Sequence, residues 1–176
     1  MKKILALIAV TLIVVGCKKG KNEVILPSAT GNINRILVVM KGVDWIGKPG
    51  DEIRKVFGEH QVGLPQPETL ISVSQIDPSG FSSFIRHNKA ILLFQKSDTN
   101  KVSVIKNKYA APQVIIIASY KTKEDMINMT RERGKEFMQI FKDEDVKFVQ
   151  DIFHKERIDH TQLPTVKELG LDITIP

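Results

Sequence analysis

Asn34-Arg35-Ile36-Leu37-Val38-Val39-Met40-Lys41 decides how the rest of the chain is read. Ile36 to Met40 is an unbroken, β-favouring apolar run with no polar residue in alternation. Such a strand must hide both of its faces, as strands in helix-covered sheets do. It is therefore expected at the centre of a sheet. Gly42, Gly47, Pro49 and Gly50 then read as a turn-rich loop. In Asp51-Glu52-Ile53-Arg54-Lys55-Val56-Phe57-Gly58, acids lead, bases follow and Gly58 closes, which describes a short helix. The chain opens as a strand followed by a helix.

The same reasoning extends toward the C-terminus. Gly63-Leu64-Pro65-Gln66-Pro67 is a breaker segment, and Leu70 to Ile76 follows with enough β-branched, alternating character for a second strand. Asp77-Pro78 starts a turn, and Phe81, Phe84 and Ile85 at i, i+3 and i+4 predict a short helix closed by His87-Asn88. Ala90 to Gln95 is a third strand, Val102 to Lys106 a fourth, and Gln113 to Ser119 a fifth. The Ser97-Asp98-Thr99-Asn100 turn suggests that the third and fourth form a hairpin. Val114-Ile115-Ile116-Ile117-Ala118 is apolar on both faces and therefore interior.

Thr122-x-x-Asp125 has the pattern of a capping box and opens the longest helical stretch. Met126, Thr130, Gly134, Phe137 and Phe141 share a face, and Gly134 in that stripe suggests close approach to the sheet. Asp143-Glu144-Asp145 is expected to cap a second segment carrying Val146, Val149 and Phe153, with Phe148 and Ile152 alongside, making a long broken helix. Pro164 ends that region, Thr165 to Gly170 forms a further turn of helix, and Leu171 to Ile175 begins a strand before Pro176. These elements make an α/β fold: a mixed β-sheet of about five strands with helices packed on it, in a two- or three-layer sandwich.

The N-terminus is of a different kind. Lys2 and Lys3 precede an apolar run from Ile4 to Val15 broken only by Thr11. The run is too short for the roughly 20 apolar residues that span a bilayer, and has the composition of a secretory signal. Val14-Val15-Gly16-Cys17 resembles the lipobox of bacterial lipoproteins, in which a small residue precedes a cysteine that becomes lipidated. Cys17 is the single cysteine of the chain, so no intrachain disulfide can form and stability rests on the core. The expected organisation is a lipoprotein signal peptide over 1–16, a lipidated cysteine and flexible stalk over 17–30, and one α/β domain over 31–176.

Composition narrows the function. The 176 residues carry a formal charge of +6, which falls to +4 once Lys2 and Lys3 leave with the signal. The bases are interleaved with acids, as in Lys121-Thr122-Lys123-Glu124-Asp125, and no aromatic-studded basic stripe appears. Nucleic acid is therefore not an expected partner.

Several constellations bear on chemistry. Gly42-Val43-Asp44-Trp45-Ile46-Gly47-Lys48-Pro49-Gly50 holds the only tryptophan beyond a central strand, where open α/β sheets bind ligands. Asp44, Trp45 and Lys48 are the candidate ligand or partner surface, against the plainer reading in which Trp45 packs as a lid on the sheet edge. Asp51 and Glu52 occupy the predicted helix start where a phosphate would sit. His154 and His160 are six apart and do not share a helix face, so with Asp151 and Asp159 they offer no metal-ligand spacing. His60 and His87 are placed beside helix termini. Ser72, Ser74, Ser79, Ser82 and Ser83 lie outside any Gly-x-Ser-x-Gly elbow. Neither a catalytic residue nor a cofactor is assigned.

Leu26-Pro27-Ser28-Ala29-Thr30-Gly31, the 34–40 strand, Trp45, Gly50-Asp51-x-Ile53-Arg54 and Gly63-Leu64-Pro65-Gln66-Pro67-Glu68 together resemble an uncharacterised Bacteroidetes lipoprotein family, domain of unknown function 4837. Phe81, Phe84, Asn88-Lys89-Ala90-Ile91, Leu163-Pro164 and the 171–176 end extend the resemblance. It implies an envelope location, an acylated Cys17, and either an N-terminal portion of a longer architecture or a short variant of it. The expected function is a lipid-anchored envelope protein at the outer membrane facing the periplasm, with a non-catalytic binding or scaffolding role toward an envelope protein or polymer. The alternative is an envelope enzyme acting on a peptide or glycan.

Overall fold

The computed structural model describes residues 25–60 and 69–155. The signal, Cys17, the breaker segment at 63–67, Asp159, His160 and the expected turn and strand over 164–176 lie outside the described residues. The elements are β1 (Arg35–Val39), α1 (Gly42–Trp45), α2 (Lys48–Phe57), β2 (Ser72–Ile76), β3 (Ala90–Lys96), β4 (Lys101–Lys106), β5 (Val114–Tyr120) and α3 (Lys123–Lys155). Two 3-10 turns, Pro78–Gly80 and Ser83–His87, stand where the sequence suggests one short helix.

The α/β expectation holds: one mixed five-stranded sheet has the order β2-β1-β3-β5-β4. β1 pairs in parallel with β2 and β3, β3 pairs in parallel with β5, and β4 runs antiparallel to β5. The starts of the four parallel strands define a base and their ends a top. β1 is interior, as its sequence demands, although the middle position belongs to β3. The expected hairpin of β3 with β4 does not form. β5 lies between them, registering Leu92 with Ile116 on one side and Val104 on the other. The reason is burial: β5 is apolar on both faces and needs neighbours on both edges, whereas the half-exposed β4 tolerates the rim.

Alternation sends the two halves of each strand to opposite faces. Ile36, Val38, Met40, Leu92, Phe94, Ile116 and Ala118 pack with Ile53 and Phe57 of α2 and with Met126, Phe137 and Phe141 of α3. Each fully buried Phe or Ile contributes about 1.5–3 kcal/mol through removal of apolar surface from water. Leu37, Val39, Ile91 and Ile115 point the other way, under Phe81, Ile85 and Tyr109. The helices form one layer, and the second face is roofed by the 3-10 turns and the β4–β5 loop.

The helix over 123–155 is continuous, which corrects the expected break at Asp143-Glu144-Asp145. Those acids pair with side chains instead of capping, Asp143 within the helix and Glu144 and Asp145 also across the fold. Glu144 takes Lys106 at 2.7 Å and Lys147 at 2.8 Å, and Gln139 donates to Asp143 at 2.7 Å. Asp145 is buried, pairs with Lys89 at 2.7 Å and accepts the Asn34 backbone N–H at 2.7 Å. At the other end the capping box is reciprocal: the Thr122 N–H donates to Asp125 at 2.9 Å and the Asp125 N–H to Thr122 Oγ1 at 3.1 Å. Gly134 does mark a close approach, but to α2 instead of the sheet. A Cβ there would lie 2.5 Å from Val56 Cγ1.

Residues 27–34 run along the base as a strap. Ala29 donates to the Ala111 carbonyl at 3.1 Å, Thr30 to that of His87 at 2.8 Å, and Lys89 returns a bond to Thr30 at 2.8 Å. The boundary expected at residue 30 therefore falls inside a hydrogen-bonded segment. Buried Gln113 fixes the neighbouring loop by donating to the Arg86 and Asn88 carbonyls at 2.6 and 2.7 Å.

Candidate functional site

β1 connects to β2 on one side, and the chain then crosses back to place β3 on the other. The tops of β1 and β3 are thus the switch point at which open α/β sheets hold ligands. β1 passes directly into α1 there, because Gln75 Nε2 donates to the Met40 carbonyl at 2.8 Å and the Gly42 N–H donates to Asp77 at 3.2 Å. The expected 42–50 loop is instead helical: α1 occupies its first half, and α2 begins at Lys48, three residues before Asp51. Pro49 in the first turn, where its missing N–H costs nothing, accounts for the earlier start.

The three candidate residues do not converge. Asp44 turns inward and is only 4% exposed; its Oδ1 lies 2.6 Å from Lys123 Nζ, a charge contact that ties α1 to the first turn of α3. Burial raises the neighbouring Tyr120 phenol above its ordinary value, and the negative charge of Asp44 adds to that rise. Tyr120 is thereby held as a neutral hydroxyl, not as a phenolate nucleophile. Trp45 is half-buried against the helix-side core. The Arg54 guanidinium sits 4.7 Å from its ring centroid and donates to its carbonyl at 2.9 Å. Gly50 is obligatory behind it, since a Cβ there would stand 1.7 Å from the Trp45 carbonyl oxygen. Trp45 is therefore clamped between Arg54 and the helix-side core. Lys48 is exposed and lines a separate shallow cleft with Glu52, Glu124 and Arg131, in which Arg131 grips Glu52 at 3.1 and 3.3 Å.

Sequence reasoning missed Tyr120 and Lys123, which only the fold carries to Asp44. The capping box did give a signal, because it fixed where α3 starts. Also missed were Val43 and Ile46, which are 63% and 79% exposed and flank Trp45 as an apolar knob at the top. The other candidates stay apart. Ser79 Oγ donates to Asp77 at 2.9 Å, and Ser74 Oγ to the Ile36 carbonyl at 3.4 Å, so both hydroxyls serve backbone geometry. His87 stacks edge-on with Phe84, and His60 bridges Thr69. Among the described residues, no three His, Cys, Asp or Glu side chains gather closely enough to hold a metal ion. No helix among them is long and apolar enough to cross a membrane.

No curated protein and no solved structure matches the chain. A family model does, over residues 29–154, from the strap to the last turns of α3. It is not domain of unknown function 4837, so the resemblance drawn from the Leu26–Gly31, Gly63–Glu68 and strand motifs is corrected. Those motifs are turn and strand chemistry that many α/β chains need, and they do not separate one family from another. The match covers well over half of the sequence, and the chain belongs to the family Domain of unknown function (DUF8532).

Proposed function

We propose that this protein is a lipid-anchored envelope component that acts as a binding or scaffolding module, presenting the top of its sheet to a protein or polymer of the envelope. The anchor rests on the basic, apolar and Gly16-Cys17 segments read in succession, and two or more acyl chains hold a protein stably where one does so only marginally. Lys18 directly after the acceptor is compatible with the outer membrane, facing the periplasm.

The observation that carries the binding role is the knob of Val43 and Ile46 standing on a rigid support. Arg54, Gly50 and the Asp44–Lys123 contact lock the turn beneath two exposed apolar side chains. Pre-organised apolar groups ringed by charge, here Lys41 and Lys48, suit recognition because little ordering entropy remains to be lost on contact.

Mass spectrometry of the membrane-extracted protein is expected to show acylated Cys17 as the first residue; a free thiol refutes the anchor. A photocrosslinker at position 46 is expected to capture a discrete envelope partner in cells, and Val43→Asp is expected to abolish that capture without changing thermal stability. Undiminished capture in the folded variant refutes the knob as the contact surface.

A further inference from the structure

The end of the molecule opposite the knob carries the second unexplained surface. Asp145 reaches the base, yet α3 continues for residues 146–155, about 15 Å at 1.5 Å per residue. This extension carries Val146, Phe148, Val149, Ile152 and Phe153, and none of them is buried. Ile33, Val146, Val149 and Phe153 line a groove of about 320 Å³ between the strap and the helix. Ile33 is 49% exposed, Val146 55% and Phe153 37%. Single exposed apolar residues are ordinary; a contiguous set beside a projecting helix end marks a contact surface.

We propose that this base is a lipid-contacting face, with Ile33, Val146, Val149 and Phe153 seated in the interfacial layer of an anionic bilayer. The proposal rests on the anchored reading above and deepens it by orienting the domain. The strap enters at this end, and Ile25, the first described residue, is almost wholly exposed. Seven residues separate it from Cys17, and the eight steps between them make a tether of at most about 28 Å when fully extended. An acylated Cys17 thus holds the base, not the knob, within short reach of the bilayer, and so raises its local concentration there. Lys142 lines the groove, and Lys106 and Lys147 stand beside it paired to Glu144, with Asp143 and Asp151 on the same stretch of α3. Lysine stems lie along apolar surface while their ammonium heads reach toward phosphates. The knob would then point away from the bilayer, toward partners.

The test uses the purified acylated protein in vesicles of phosphatidylethanolamine and phosphatidylglycerol, with nitroxides attached at Phe153→Cys, Val146→Cys and, as a control at the top, Ile46→Cys. On reconstitution the labels at 153 and 146 are expected to change from nickel-accessible to oxygen-accessible, while that at 46 stays nickel-accessible. The proposal is overturned if the labels at 153 and 146 remain as nickel-accessible as in detergent. It is equally overturned if they are already immobilised and shielded in detergent, which would mean that a second copy, seen by sedimentation, or the chain's own residues 156–176 cover the patch. Cys17 acylation is read by mass on the same samples, so a missing anchor and a dry base are separate outcomes.

Discussion

Removing the ammonium of Lys89 while keeping its stem, as in Lys89→Met, isolates a buried charge contact. The Lys89 and Asp145 side chains are only 8% and 12% exposed, and their atoms meet at 2.7 Å between the start of β3 and the twenty-third residue of α3. The ammonium also lies 4.4 Å from the Phe148 ring centroid. In the variant, the Asp145 carboxylate keeps only the Asn34 N–H at 2.7 Å. Stranding one member of a buried pair costs about 3–5 kcal/mol, and the residual exposure here points to the lower end, about 3 kcal/mol. With a urea slope of about 2 kcal/mol/M, the unfolding midpoint should fall by about 1.5 M. Asp145→Asn in the same chain removes the stranded charge but keeps an acceptor for Asn34. The double variant should therefore return to within about 1 kcal/mol of the parent, about 2 kcal/mol more stable than Lys89→Met alone. Trp45, the only tryptophan, reports the transition by fluorescence. A loss below about 1 kcal/mol for Lys89→Met would place this contact among surface ion pairs and refute the reasoning, as would strict additivity in the cycle.

Other consequences can be measured in the same way. Gly134→Ala sets a helix-propensity gain of about 1 kcal/mol against overpacking of about 1–3 kcal/mol, because the new Cβ meets Val56 Cγ1 at 2.5 Å. A net loss of about 1 kcal/mol is expected in thermal melts, smaller when Val56→Ala is added. Gly50→Ala places a Cβ 1.7 Å from the Trp45 carbonyl oxygen, and backbone cannot move aside as a side chain can. The expected loss is about 3 kcal/mol, with altered Trp45 emission. Asp44→Asn removes a charge that raises the Tyr120 phenol, so its ultraviolet titration should shift to lower pH, although burial still keeps it above 10.0. Asp77 is held below its ordinary value of 3.8, first by the Ser79 backbone N–H and then by the Ser79 hydroxyl. Its stabilisation is complete above pH 3.8 and disappears as the pH falls through the lowered folded value. Asp77→Asn should accordingly differ from the parent near neutrality and converge with it in strong acid.

The candidate site was less legible in sequence than the fold, for reasons visible in particular residues. Asp44, Trp45 and Lys48 are neighbours along the chain, and sequence spacing invites a single surface. One turn of helix separates their directions instead: Asp44 goes to Lys123, Trp45 to Arg54 and Lys48 to the Glu52–Arg131 cleft. Tyr120 and Lys123 joined Asp44 through strand order, which no local pattern encodes. The acids at 143–145 misled in the same way, since a cap and an ion-pair partner look alike until the partner is in view.

Sequence alone determined the sheet-forming runs, the interior character of β1 and β5, the Thr122–Asp125 helix start and the buried Met126-Thr130-Gly134-Phe137-Phe141 stripe. These follow from burial periodicity and capping chemistry, which act within a few residues. Tertiary structure alone decided that β5 separates β3 from β4, that α3 runs unbroken, and that Gly134 meets α2. It also set the knob and the projecting helix end at opposite ends of the sheet. Each of these depends on which distant groups share a place. Lys89 and Asp145, 56 positions apart, satisfy each other's charge only once the strands are in order.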